Sequence, residues 1–315
     1  MTKKVFDLLV IGEICVDLIL RGGDLRPRFG QAEQLVEQAD LVLGGSTALL
    51  ACGAAHLGLK VTFASKVGQD EFGNFALGQL ARRGVDTSHV VRTPSEKTGL
   101  TVHLSLPDDR SMLTYPGTMG TFSGKDVPED LVSQARHVHL SSYFLQPGIQ
   151  PNLASIFSTA HRYGATTSLD TGWDPSEGWD SGLARVLSEV DIFLPNENEA
   201  MAITRAESVH QAAVKLAEII PSVVIKQGDK GVLARQAGKE YFVPAFNITP
   251  IETTGAGDNF NAGFLFARLD GLPLEACLHW GAACGALATL QPGGLDGQLP
   301  ASEVQAWMAA HGWTG

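Results

Sequence analysis

The sequence is poor in cysteine and in aromatic residues, and it concentrates positive charge nowhere. Its four cysteines in 315 residues, Cys15, Cys52, Cys277 and Cys284, form no CxxC pair. That weighs against a disulfide framework; they read as small buried hydrophobes of a reducing compartment. No run of Lys or Arg exceeds a pair, and the formal net charge is −11 with a pI of about 5.2. A protein that lives on phosphate-backbone contacts needs a basic face, so neither nucleic acid nor an anionic membrane is expected as a partner. The opening MTKKVFDLLVIG is too short in apolar residues for a signal peptide and far below the ~18 of a membrane span. Cytoplasm is the expected location. GxxxxGK[ST] is missing, as are internal repeats, low-complexity tracts, charge blocks and flexible linkers, so the chain is not a P-loop protein.

Glycine, by contrast, is abundant: 35 of 315 residues, about 11% against a typical ~7%. With no G-X-Y period, it belongs in turns and where backbone must approach backbone or ligand. The apolar share of 44% and mean hydropathy of +0.05 are those of a globule with a sizeable core. The length allows two domains, or one large α/β domain with an appendage.

Residues 5–11 form a continuous, β-branched apolar run ending at Gly12, the mark of a strand buried on both faces of a parallel sheet. Similar runs recur at 61–65, 138–140, 166–169, 192–194 and 223–225. Helical patterns occupy 47–57, 71–83, 151–163, 183–187, 199–203 and 209–219, with apolar helices at 258–268, 274–290 and 301–310. This alternation predicts βαβ units and a three-layer α/β fold with a mostly parallel central sheet. Residues 13–43 and 96–120 break it with two-residue periods, predicting antiparallel ribbons that together form a small β lid. The core is then 1–12, 44–95 and 121–315.

The chemistry concentrates in TTGAGDNFNAGF, residues 253–264. Gly255-Ala256-Gly257 is a small-residue loop running into a helix, where backbone N–H groups and the helix dipole suit a phosphate. Asp258 at the helix start is either a plain N-cap or the carboxylate that orients and deprotonates an attacking hydroxyl. The G-x-G lacks the third glycine of a dinucleotide fingerprint and lies late in the chain, against a dehydrogenase.

TTGAGDNFNAGF resembles the C-terminal signature of the ribokinase-like (PfkB) carbohydrate kinases, and the resemblance extends in order over nearly the whole chain. Gly12-Glu13 with Asp17 is similar to the family's first strand and its sugar-contacting Asp. Residues 43–51 resemble the N-terminal GG signature, and 67–73 match VGxDxFG. Asn196-Glu-Asn-Glu199 resembles NxxE, otherwise a solvated helix start, and Gln227-Gly228-Asp-Lys-Gly231 resembles the turn bordering the nucleotide.

The resemblance implies ATP-dependent phosphorylation of a hydroxymethyl group on a small sugar of ribose, fructose or 2-keto-3-deoxy type. Asp258 would be the base, with Gly255, Ala256 and Gly257 as the anion hole. Asn196 and Glu199 would organise Mg²⁺, Gly228 and Gly231 would admit the nucleotide, and Asp17, Gly44 and Gly45 would face the sugar. The family usually has Asn where this chain has Leu49, so one sugar hydrogen bond is absent or supplied elsewhere. The acid before TTGAGD is Glu252 rather than Asp. In relatives this acid helps hold a monovalent cation such as K⁺, with carbonyls here near 288–294.

Weaker candidates are Lys226, for a phosphate or merely a partly buried stem, and Asp170, beside the metal or capping a turn. Arg110 and Tyr115 flank the second ribbon, and Arg110 is a candidate for substrate contact. His137 and His139 share a strand face and read as structural. Sugar and ATP are the expected partners, with a homodimer through the lid. The alternatives are a nucleoside kinase of the same fold and a non-catalytic sugar- or nucleotide-binding homologue.

Overall fold

The computed structural model describes residues 3–106 and 110–313, with Arg110 described in its backbone alone. The chain opens β1 (Phe6–Ile11), β2 (Cys15–Arg21), β3 (Gln38–Gly44), α1 (Ser46–His56), β4 (Val61–Gly68), α2 (Glu71–Arg82) and β5 (Val90–Thr93). It continues β6 (Gly99–Ser105), β7 (Arg110–Tyr115), α3 (Glu129–Gln134), β8 (Ala135–Leu140), α4 (Gln150–Arg162), β9 (Thr166–Leu169), α5 (Leu183–Leu187) and β10 (Ile192–Phe193). It ends α6 (Glu197–Thr204), α7 (Val209–Ala217), β11 (Ser222–Lys226), β12 (Val232–Gln236), β13 (Lys239–Val243), α8 (Ala256–Leu269), α9 (Leu274–Ala288) and α10 (Ala301–Ala310).

Nine strands form one sheet in the order β13-β12-β11-β10-β9-β8-β1-β4-β5, parallel from β11 to β5 and antiparallel only at the β12–β13 edge. The apolar run of β1 divides its residues between two cores. Leu8 and Val10 join Phe63, Leu265 and Leu278 on one side, and Leu9 and Ile11 join Leu140 and Phe157 on the other. A strand covered on both faces has no polar side to alternate with, which is why residues 8–11 run apolar without a break, Asp7 lying in the partly exposed start of the strand. Phe157 is fully buried, and truncating such a ring to Ala costs about 3–5 kcal/mol. α8 lies tight on α9: a Cβ on Gly263 would come 2.5 Å from the Trp280 carbonyl oxygen, so only glycine permits this approach. Among the described residues, no helix is long and apolar enough to cross a membrane.

β2, β3, β6 and β7 form a separate four-stranded sheet, ordered β3-β2-β6-β7. Its strands come from the two stretches whose period changes. Asp17, Thr101 and Thr114 lie opposite one another across three of them, with a Thr101–Thr114 hydroxyl hydrogen bond of 3.1 Å.

Candidate active site

The carboxyl ends of the parallel strands gather the polar residues, as open α/β sheets do for ligands. β1 leads to Glu13, β4 to Asp70, β8 to Ser141, β9 to Asp170, β10 to Asn196, and β11 ends in Lys226. Above them the chain enters α8 through Gly255, left-handed at φ 73°, and Asp258 occupies the first turn of the helix. The leading N–H groups of a helix have no partner within it. Of these, Ala256 donates back to the Thr253 carbonyl at 3.3 Å, closing the turn. The Asp258 carboxyl, half-buried, accepts a hydrogen bond from Ser46 at the start of α1, so two helix N-termini converge on it. Burial first, then the charges of Asp170 and Asp17, outweigh Lys226 and Ser46 and raise its pKa from 3.8 to about 7. A carboxylate poised there is matched to proton abstraction at neutral pH.

Beneath Asp258 lies a buried triad. Lys226 Nζ and Asn261 Nδ2 each donate to Asp170 Oδ2 at 2.6 Å, and the Gly172 N–H donates to Oδ1 at 3.1 Å. Lys226 also reaches Asn261 Oδ1 at 3.3 Å, and its Nζ lies 3.5 Å from where a Cβ on Gly257 would sit. Burial alone would raise Asp170, but Lys226, Asn261 and the Gly172 amide together hold it below the usual carboxylate range. Asp170 thus caps its turn and pairs with Lys226, placing a cation beside the small-residue loop. Asn261 follows Asp258 by three residues on the same helical face; the sequence motif contained it, but nothing in the spacing showed its partner.

Asn196 and Glu199 cap α6 reciprocally. The Glu199 N–H donates to Asn196 Oδ1 (2.9 Å), while the Asn196 N–H and Nδ2 donate to Glu199 Oε2 (2.9 Å) and Oε1 (2.7 Å). Burial, then Asp170 and, more weakly, Asp258, raise Glu199 to about 7 against Lys226. Gly228 and Gly231 bracket the tight turn after β11, which an ion pair between Lys230 and Glu197 (3.0 Å) ties to α6. Asn196 and Lys226 pair through a β-bridge, so the NxxE and nucleotide-turn motifs adjoin.

The small sheet meets the core at the other end of the cleft. A Cβ on Gly44 would overlap the Asp17 carboxylate, so Gly44 is what lets Asp17 lie against β3. His103 Nε2 on β6 stands 3.2 Å from Asp17 Oδ2, a neighbour that the sequence did not reveal. Gly45, at φ 95°, caps α1 beside the Glu13 backbone. The Glu13 carboxyl accepts from the Thr47 hydroxyl and from Gln146 Nε2 (3.0 Å), and burial raises it to about 7. Asp70 pins the base of β6 by accepting from the Thr98 N–H (2.9 Å) and hydroxyl (2.7 Å). Arg110 opens β7 opposite Ser105; its side chain lies outside the described set. Tyr115 ends β7 and is exposed. Leu49 is buried, its Cδ1 3.2 Å from the Cβ position of Gly255. Glu252 is engaged by Arg21 of β2, whose Nη2 donates to Oε2 at 2.8 Å. His137 and His139 are buried and joined through Ser168 (2.7 and 2.6 Å); burial lowers both to about 3, so they are neutral. Among the described residues, no three His, Cys, Asp or Glu side chains cluster as a metal cage.

Residues 5–301 match the pfkB family carbohydrate kinase profile. A ribokinase of Haemophilus influenzae is 29% identical over 295 residues, 91% of this chain and 93% of its own. A 2-dehydro-3-deoxygluconokinase of Bacillus subtilis is 30% identical over 280 residues, 83% and 84% of the two chains. An E. coli structure solved with ATP and Mg²⁺ superposes with a TM-score of 0.87 at 22% identity, over 98% of this chain and 100% of that one.

Proposed function

Because the chain belongs to the pfkB family of carbohydrate kinases, we propose that Asp258 deprotonates a hydroxymethyl group of a small sugar as that oxygen attacks the γ-phosphate of ATP. The observation that carries this is the Asp258 carboxyl, held near 7 at the start of α8 beside the Gly255–Gly257 turn. The alcohol proton passes to Asp258, the new O–P bond forms, and ADP leaves with the electrons of the broken O–P bond. The start of α8 faces the transferring charge, a fixed-donor arrangement whose loss costs ~10²–10³ in rate. Asp258→Asn lowers kcat by ~10²–10⁴ with little change in ATP affinity; full activity would refute the assignment.

Glu199 and Asn196 fit Mg²⁺ through its water shell. Both oxygens of Glu199 already accept from Asn196, yet after burial the charge of Asp170 raises both Glu199 and Asp258, which marks a negative field short of positive charge. Such a site suits a hydrated ion bound with substrate phosphates rather than an all-protein cage. Bound there, the ion would neutralise phosphate charge; chelation is expected to abolish turnover, and activity that survives it would contradict this role.

The sugar lies under the small sheet, with residues 13–43 and 96–120 acting as a lid and Asp17 and His103 reading hydroxyls. Leu49, buried against the Gly255 turn, stands where the family usually has Asn and offers no amide to a hydroxyl, which favours a 2-keto-3-deoxy sugar over ribose. A panel of ribose, fructose, 2-keto-3-deoxygluconate and nucleosides scored by ADP release decides it: ribose preferred tenfold would overturn this choice, and a nucleoside alone would overturn the sugar class.

The outer lid face carries an apolar row, Leu41-Leu18-Val102-Leu113, directly paired across all four strands, with Leu41 and Leu113 exposed. A second copy of this lid is its proposed cover; sedimentation that finds a monomer at micromolar concentration would refute it. The four buried free cysteines suit a reducing compartment such as cytoplasm.

A further inference from the structure

The stretch preceding the Gly255 turn does not fit the monovalent cation that the family resemblance implies. Three donors already converge on the Glu252 carboxylate: Arg21 Nη2 at 2.8 Å, the Thr254 hydroxyl and the Gly293 N–H. Burial would raise this acid, yet these donors hold it below its usual range, so its charge is compensated within the chain. Carbonyls of the neighbouring 288–294 stretch are also engaged. The Thr289 oxygen accepts from the Ile251 and Glu252 N–H groups (2.8 and 3.2 Å), and the Gly294 oxygen from Asn259 Nδ2 (2.8 Å). A metal cation at Glu252 would face a guanidinium held on the same carboxylate and would have to strip these donors away.

We infer that Arg21 takes the place of the monovalent cation, so that the catalytic turn is ordered by a side chain of the lid. Arg21 lies on β2, and its other nitrogen, Nη1, binds Asp40 of β3 at 2.6 Å. Its planar fork therefore joins two lid strands to the segment leading into Gly255, a geometry suited to guanidinium. On the far side, a Cβ on Gly294 would lie 2.8 Å from the Thr254 oxygen and 3.2 Å from Gly255 Cα. Movement of Glu252 is thus passed by direct contact to the anion-binding turn. Arg21 is a positioning residue: its guanidinium is taken up by Asp40 and Glu252, and it acts through the turn that follows. This inference rests on the kinase function for its turnover measurement and is independent of it for its thermal one.

The wild-type protein and Arg21→Met are compared in KCl, NaCl and choline chloride at equal ionic strength, by melting temperature without substrate and by kcat/KM. The wild type is expected to melt and turn over alike in all three salts. Arg21→Met is expected to lose on the order of 10- to 100-fold in kcat/KM through misplacement of the turn. It should also acquire a K⁺-specific rise in melting temperature and partial rescue by K⁺, which a merely structural residue would not produce. A K⁺-specific rise in the wild type overturns the inference, as does an Arg21→Met protein indistinguishable from wild type. Should Arg21→Met fail to fold, Arg21→Lys, which keeps the charge, must remain indifferent to K⁺; a K⁺ requirement there also overturns it. A wild type that phosphorylates nothing tells against the kinase function alone, since the melting comparison still stands.

Discussion

Replacing Asp258 with Asn should make the protein more stable at pH 8 while disabling it. In the folded chain the Asp258 pKa is raised from 3.8 to about 7, chiefly by burial and then by Asp170. The sign follows from which state ionises first. Between the two values the unfolded chain has lost the proton that the folded chain still holds, so wild-type stability falls as pH rises from about 4 to about 7, then levels. The shift of about three units sets a ceiling near 4 kcal/mol, and because the carboxyl is only half-buried, solvent screening reduces this to about 2 kcal/mol. Asn carries no charge to penalise. With ~2.1 cal/mol/K of unfolding entropy per residue over 315 residues, about 2 kcal/mol corresponds to a melting temperature ~3 °C higher at pH 8. A smaller margin is expected at pH 5, where only part of the pH window between the unfolded and folded pKa values has been crossed. Calorimetric melting of both proteins with chelator at pH 5 and pH 8, beside an ADP-release assay, measures it. A variant that melts lower than wild type at pH 8, or by the same margin at both pH values, refutes the reasoning.

Three other outcomes follow from the same geometry. As the proposed base, Asp258 has to be ionised, so kcat/KM of the wild type should climb with pH and level above about 7; a flat profile from pH 5.5 to 8 contradicts the role. Lys226→Met strands the Asp170 carboxylate in the interior and should cost ~3–5 kcal/mol in denaturant unfolding, with Asp170→Asn added to it recovering part; an unchanged midpoint for the single variant would show that the pair is not buried as described. Gly44→Ala drives a methyl into the Asp17 carboxylate; it should raise the sugar KM by about tenfold or more while leaving the ATP KM alone, since a displaced hydrogen-bonding group loses binding on its own side of the cleft.

The parts of the fold and site that could be read from the sequence are those whose physics is local. The run at residues 5–11 announces a strand buried on both faces, and the period change at 13–43 and 96–120 announces the separate ribbons. β5 and the β12–β13 hairpin went unread. β5 has four residues with an exposed middle, and β13 is largely exposed, so neither has a burial pattern for sequence to carry. The same division holds at the site. Gly255 to Asp258 are consecutive, and Asn196 and Glu199 one turn apart, so spacing places them together. Lys226 and Asp170 stand 56 residues apart, and Arg21 and Glu252 231 apart. Their partnership depends on strand order in the sheet and on lid docking, which no local spacing encodes. Glycine shows both cases: Gly255 is legible within its motif, whereas Gly263 earns its place only once α9 lies across it.

A net charge of −11 is an odd endowment for a protein that binds a polyphosphate. The cations nearest the catalytic turn do not relieve it, because each is committed: Lys226 to Asp170, and Arg21 to Asp40 and Glu252. The start of α8 offers a partial positive charge of roughly half a unit, against Asp258, Glu199 and the ionised Asp170. The negative excess therefore does two things at once. Added to burial, the larger cause, it holds Asp258 and Glu199 near 7, where a base is useful, and it makes the site inhospitable to phosphate unless the phosphate arrives with positive charge of its own. Retention of ATP on the metal-free wild type, but not on Lys226→Met, would show instead that Lys226 is spared for the nucleotide and that this allocation of charge is wrong.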